Sequence, residues 1–205
     1  MRQNLWVKNL FETLAVCLCL PVFCILHFGI GLFIWVETRG KVFFRQQRLG
    51  QNNQAFTCYK YRTMHENSEE ILASYLEKNP QEIAHYETYH KYKFDPRITK
   101  VGRILRLTSL DELPQILNVL KNEMSLVGPR PYMTSEASKI AQDKDIILRV
   151  KPGITGLWQT SGRSGLSFKQ RNELEVWYVR NWSLWLDIVI LLKTIIIVLK
   201  MKGAK

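Results

Sequence analysis

Leu14 to Val36 runs for 23 residues without an Asp, Glu, Lys or Arg. As a helix it would reach ~34 Å, enough for the hydrocarbon core of a bilayer. A signal-peptide core is shorter and is followed by a small-x-small cleavage site, which this stretch lacks. Phe23 ahead of Cys24 argues against a lipoprotein box. A deeply buried soluble helix is the other reading, but a 205-residue globule could hardly enclose so long an apolar run. Pro21 lies inside the run and removes one backbone hydrogen bond. Both flanks are basic: Arg2 and Lys8 before, Arg39, Lys41, Arg45 and Arg48 after. Basic flanks stay cytoplasmic. A helix that enters the membrane, breaks at Pro21 and returns satisfies both features. A single span would also leave the rest of the chain cytoplasmic, because the downstream flank is the more basic.

Leu184 to Leu199 is apolar but carries Asp187 and Lys193. At helical spacing Ser183, Asp187, Lys193, Thr194 and Lys200 share one arc of about 140°. Trp177, Tyr178, Trp182 and Trp185 gather at its start. This pattern predicts an amphipathic helix at the membrane surface, with Trp182 and Trp185 at headgroup level. An ordinary surface helix packed on the domain is the alternative.

Lys plus Arg number 29 and Asp plus Glu 18, a net charge of +11. The surplus suits anionic partners: nucleic acid, anionic lipid or phosphorylated small molecules. With 46% hydrophobic and 23% charged residues, a disordered tail and a low-complexity chain are excluded. Cys17, Cys19, Cys24 and Cys58 have no zinc-ligand spacing and are too few for a disulfide scaffold. The four histidines form no recognisable ligand set.

Between the two ends, Lys41 to Met64 reads as a β-hairpin turning at Leu49 to Asn53. Ser68 looks like an N-cap, and Pro80 opens a second polar helix through about Tyr92. Leu113, Ile116, Leu117 and Leu120 form a helical stripe. Gly128-Pro129-Arg130-Pro131 must be extended or turning. A helix is expected over Ser135 to Arg149, and a loop over Pro152 to Gly165.

Asp95-Pro96-Arg97 leads to Lys100, Arg103 and Arg106, and Asp111-Glu112 follows. Arg130 sits between two prolines and Arg163 follows Gly162. Arginine forks match phosphate oxygens. Carboxylates beside them could act as nucleophile, base or Mg²⁺ ligands, since magnesium needs one or two plus substrate phosphates. The bland alternative is a helix cap, either Ser109 in a capping box with Glu112 or Asp111 itself. The glycines make neither a Walker A loop nor a GxGxxG pattern.

Six ordered blocks carry a resemblance. They are Tyr59 to Met64 (YKYRTM), Asp95 to Lys100 (DPRITK), Thr108 to Gln115 (TSLDELPQ), Glu123 to Pro131 (EMSLVGPRP), Pro152 to Arg163 (PGITGLWQTSGR) and Tyr178 to Asp187 (YVRNWSLWLD). Together they resemble the bacterial sugar transferase family of monotopic phosphoglycosyl transferases, most of all the catalytic part of undecaprenyl-phosphate galactose or glucose phosphotransferases. The resemblance implies transfer of a sugar 1-phosphate from a UDP-sugar to polyprenol phosphate, with release of UMP. It places the nucleophile on Asp111, the second member of the dyad on Glu112 and Mg²⁺ at both. It also implies a re-entrant membrane helix broken at Pro21. Lys60, Arg62, Arg97, Arg106, Arg130 and Arg163 are the candidates for binding substrate phosphate. Family members often have Ser-Pro where Leu20-Pro21 stands, and usually Asp where Glu175 stands. The polar insert from Glu66 to Tyr92 resembles hexose-type members.

The expected fold class is α+β: a monotopic, mostly helical domain with a small β-hairpin. Residues 1–40 would form the re-entrant element, 41–182 a cytoplasmic catalytic domain, and 183–205 the interfacial helix and basic tail. Expected partners are a UDP-sugar, polyprenol phosphate and membrane lipids, with no nucleic acid; a second copy of the chain stays open as a partner. The expected site of action is the cytoplasmic face of the bacterial inner membrane, at the first membrane step of a glycan assembly pathway. Two rival readings are a non-enzymatic, membrane-anchored basic protein and a glycosyltransferase that releases UDP.

Overall fold

The computed structural model describes residues 5–89, 92, 94–162 and 166–200. The apolar run lies in one helix, α1 (Leu5–Thr38), which stays helical through Pro21. The expected break is therefore not a gap in the helical element; a proline that costs one hydrogen bond leaves the flanking turns intact. One stripe of α1, Lys8, Glu12, Val16, Phe23 and Ile34, is buried against the rest of the protein. The opposite face is apolar and open, with Leu18 82% and Phe28 76% exposed. A water-facing helix has the reverse pattern.

Both ends of α1 are fastened to the same domain. Near its start, the Lys8 ammonium donates to Asp187 Oδ2 at 2.8 Å, to Tyr178 Oη at 3.0 Å and to the Val127 carbonyl at 2.7 Å. Glu12 accepts from Ser125 Oγ and the Leu126 N–H. At the far end the Glu37 carboxylate accepts the N–H groups of Lys100 and Val101 at 2.7 and 3.0 Å. Those are orphan donors of the first turn of α4 (Lys100–Thr108), where Thr99 also caps Gly102.

The hairpin forms as its alternation requires: β1 (Phe43–Leu49) pairs antiparallel with β2 (Ala55–Tyr61), with Phe44 opposite Lys60. Asn52 and Asn53 turn the chain at left-handed φ, which asparagine tolerates. Then come α2 (Ser68–Lys78), whose N-cap position falls on Asn67 rather than Ser68 and carries no side-chain cap, and α3 (Gln81–Tyr89). The expected continuation of α3 over His90 and Lys91 lies outside the described residues. After α4 a 3₁₀ turn over Leu110–Gln115 runs into α5 (Ile116–Leu120), then β3 (Ser125–Val127).

Two expectations are corrected beyond this point. Ser135–Arg149 is not one helix but a 3₁₀ turn, Thr134–Ile140, followed by α6 (Lys144–Ile147). The chain reverses between them, where the Asp143 N–H donates to the Ile140 carbonyl. Ile140 and Ile147 then both reach the core around Leu49 and Tyr132. Pro152–Gly165 is not all loop. It holds β4 (Gly153–Thr155), parallel to β3, and α7 (Leu157–Ser161). Gly128 and Gly153 approach so closely that a Cβ on either would collide with the other's backbone. The chain closes with α8 (Phe168–Arg180) and α9 (Leu184–Leu199).

The expected polar arc of α9 divides: Ser183, Lys193 and Lys200 are exposed, while Asp187 and Thr194 turn to the domain. Asp187 is buried, accepting from Lys8, Tyr178 and the Trp182 indole, and Thr194 pairs with Thr155 at 2.7 Å. These polar residues face the domain because each has a partner there. The outward face is apolar, with Trp185 71% and Leu199 77% exposed. Of the two tryptophans expected at headgroup level, Trp185 is free and Trp182 is half-buried on Asp187.

Candidate active site

The site is built where β2 meets α4. Gly102 lets α4 press on the backbone of Thr63, where any Cβ would clash. That contact brings the Arg106 guanidinium, Nε, to 3.0 Å from Thr63 Oγ1. Ser109 then ends α4 at a left-handed φ of 58°. The reversal turns Asp111 and Glu112, which follow Leu110, into a cleft of about 760 Å³. Ser109 makes no side-chain cap on the following turn, so neither form of the capping reading is realised there.

Asn118 locks this arrangement. Fully buried, it donates to the Thr57 carbonyl and to Glu123 at 2.7 Å each, and accepts the Tyr59 N–H at 3.1 Å. The turn carrying the dyad is thereby held in register with the strand carrying Lys60. Lys60, on the cleft face of β2, reaches Glu112 Oε1 at 2.5 Å. Partial burial, then the neighbouring Glu112 carboxylate, push the Asp111 carboxyl up to about 6, while Lys60 and Arg106 pull it down. At neutral pH such a group is ionised yet more basic than an ordinary aspartate, which suits a nucleophile.

Arg130 also lines the cleft, and the N–H between its two prolines donates to Glu175 Oε1 at 2.9 Å. Glu175 is fully enclosed, and its second oxygen has no partner among the described residues. Burial pushes its carboxyl up to about 8. The folded state therefore binds this proton more tightly than the unfolded chain does. The stability Glu175 contributes is complete below about 4.5 and is lost as pH rises through about 8. Glu175→Gln keeps an acceptor for Arg130 without a charge to bury. Between pH 5 and 8 the melting temperature of the wild type should fall relative to the variant, by on the order of a few kcal/mol in stability. Parallel pH profiles of the two proteins would contradict this.

The remaining candidates divide. Arg62 lines the cleft and pairs with Glu66 at 2.8 Å. Arg97 does not line it; its guanidinium closes a two-point pair on Asp95 at 2.8 and 2.6 Å. Arg163 lies outside the described residues. Arg171 of the cleft wall and the tether Asn118 carry no signal in the sequence, and Trp158 enters only within the block Pro152 to Arg163: Arg171 is one basic residue on a helix, without a neighbouring proline or glycine.

No group of three or more His, Cys, Asp or Glu side chains could hold a metal among the described residues. Asp111 and Glu112 remain as a two-carboxylate set. Two adjacent carboxylates that repel one another would fit a hard divalent cation taking its other ligands from substrate phosphates and water.

The site is thus a carboxylate pair in a basic cleft, on a domain whose helices α1 and α9 turn apolar faces outward. The chain belongs to the bacterial sugar transferase family, whose model matches residues 3–201. It is 44% identical over 206 residues to the undecaprenyl-phosphate galactose phosphotransferase of Salmonella typhimurium, covering 99% of this chain and 42% of that protein. It is 46% identical over 203 residues to the UDP-galactose-lipid carrier transferase of Erwinia amylovora, covering 97% and 42%. With the exopolysaccharide production protein ExoY of Rhizobium meliloti it shares 41% identity over 197 residues, 96% of this chain and 87% of that one. The chain thus spans about two fifths of the first two relatives and most of the third.

Proposed function

We propose that this chain transfers a sugar 1-phosphate from a UDP-sugar to polyprenol phosphate, through a covalent intermediate on Asp111. The observation that carries the reading is the Asp111 carboxylate, made basic by its surroundings, in a cationic cleft beside Glu112 and Lys60. One Asp111 oxygen attacks the sugar-linked phosphorus. The bond from that phosphorus to the bridging oxygen breaks, and UMP leaves with the electron pair. A phosphate oxygen of the polyprenol phosphate then attacks the same phosphorus. The aspartyl oxygen leaves, which regenerates the carboxylate and yields a polyprenyl diphosphate sugar. A covalent intermediate lets two large substrates use one small site in turn.

Lys60 and Arg106 hold the anionic phosphate next to the anionic nucleophile. Asp111 and Glu112 would hold Mg²⁺, whose charge offsets that of the phosphates. Two relatives named for galactose transfer, together with the polar insert after Glu66, support a UDP-hexose donor. The work would be done on the cytoplasmic face of the inner membrane. The open apolar faces of α1 and α9 support attachment there.

Attachment of both ends of α1 to one domain supports a re-entrant path over a full span. Cysteines placed at Asn9 and Lys41 in a cysteine-free background should both be shielded from a membrane-impermeant thiol reagent in intact cells. Labelling at position 9 alone would establish a span. The reaction itself is tested by incubating the protein with UDP-sugar, polyprenol phosphate and Mg²⁺. UMP is the expected product; UDP would mark an ordinary glycosyltransferase, and no nucleotide release a binding protein.

A further inference from the structure

The cleft wall carries basic residues besides Lys60 and Arg106. The charges that act most strongly on Asp111 are those of Glu112, Lys60 and Arg106. Arg130 and Arg171 line the same cleft but surround Trp158, with guanidinium carbons 5.8 and 5.0 Å from its ring centroid. The Trp158 indole N–H is buried and has no hydrogen-bond partner among the described residues. A buried donor left unpaired in a cleft wall is costly, and native structures keep few of them.

Arg171 is oriented by one bond, from its Nε to the Leu166 carbonyl at 3.2 Å. Its terminal nitrogens have no partner among the described residues. A third guanidinium, Arg48, stands behind them, spent on the Pro131 carbonyl and Gln46. Among the described residues only Glu136 lies within ion-pair reach of this group, 3.8 Å from Arg48 and 3.7 Å from Arg130. Three guanidiniums against one carboxylate leave two positive charges uncompensated in a partly dry wall. The other nearby carboxyl, Glu175, is occupied with the Arg130 N–H and is disfavoured as an anion by its burial.

We infer that Arg130, Arg171 and the Trp158 indole form a further phosphate-binding centre in the cleft, made of other residues than Lys60 and Arg106, and that it takes a phosphate monoester. Two forked donors beside one aromatic ring, whose indole N–H is unpaired, match the oxygens of such a group. The inference rests on the cleft being the site of sugar-phosphate transfer. That reaction offers two phosphate monoesters: the departing UMP and the incoming polyprenol phosphate.

Binding measured without turnover tests the centre. In detergent micelles, intrinsic tryptophan fluorescence of the full chain is titrated with UMP and, separately, with farnesyl phosphate. The wild type should respond to at least one probe, and Trp158→Phe should remove most of the response. Arg171→Gln should weaken binding of the responding probe about 10- to 100-fold, with unchanged melting temperature. Arg171→Lys should restore part of the loss, since it returns the charge without the fork. Loss for UMP alone assigns the centre to the leaving nucleotide, loss for farnesyl phosphate alone to the acceptor, and loss for both to successive use. Equal affinities for both probes in wild type and Arg171→Gln, or an undiminished signal in Trp158→Phe, would overturn the inference. Absence of UMP release by an enzyme that binds the probes through Arg171 would instead defeat the proposed reaction and leave the centre standing.

Discussion

Asp111→Asn should lose at least ~10³-fold in turnover while keeping its fold and membrane attachment, because an amide cannot form the aspartyl phosphate. The substitution preserves shape and removes a charge that burial and Glu112 already disfavour. Its melting temperature should therefore stay level or rise. Incubation with labelled UDP-sugar alone should leave label on the wild-type protein and none on the variant. Glu112→Gln tests a different part: it breaks the 2.5 Å pair with Lys60 and weakens the metal set, yet leaves the nucleophile. It should retain the capacity to be labelled, at a much reduced rate. Substantial turnover by Asp111→Asn, in protein shown by mass to contain the amide, would remove Asp111 from the chemistry.

Why the dyad was legible while its surroundings were not follows from where the determining contacts lie. Asp111-Glu112 announces itself by two adjacent carboxylates in a basic stretch. The hairpin announces itself by alternation and its asparagine turn. β3 and β4 are three residues each, too short for any period, and exist because Gly128 and Gly153 permit close approach. The same limit hides Asn118, whose partners on β2 are about sixty residues distant. The period of α9 was readable, but that Asp187 turns inward depended on Lys8, 179 positions earlier. Arg97 shows the converse: a local Asp-Pro-Arg motif satisfied by its own aspartate, away from the cleft lining.

The Lys8–Asp187 contact carries the largest expected effect on stability. Lys8 lies near the start of α1 and Asp187 in the first turn of α9, both buried. Removing one member of a buried pair costs about 3–5 kcal/mol, because the other keeps its charge without compensation. The two halves are not equivalent. Lys8→Met leaves Asp187 with two neutral donors, the Tyr178 hydroxyl at 2.7 Å and the Trp182 indole at 2.9 Å. Asp187→Ala leaves the Lys8 ammonium with Tyr178, a carbonyl and Glu12 at 3.8 Å, and Glu12 is already committed to Ser125. Asp187→Ala should therefore be the more destabilising, and the double variant Lys8→Met/Asp187→Leu should recover part of the loss. Thermal unfolding in detergent ranks the three. Limited proteolysis should show the first turns of α1 released in Asp187→Ala, while the Glu37 attachment to α4 holds the other end. Equal melting temperatures for Asp187→Ala and the wild type would mean that α1 is held by its apolar stripe alone.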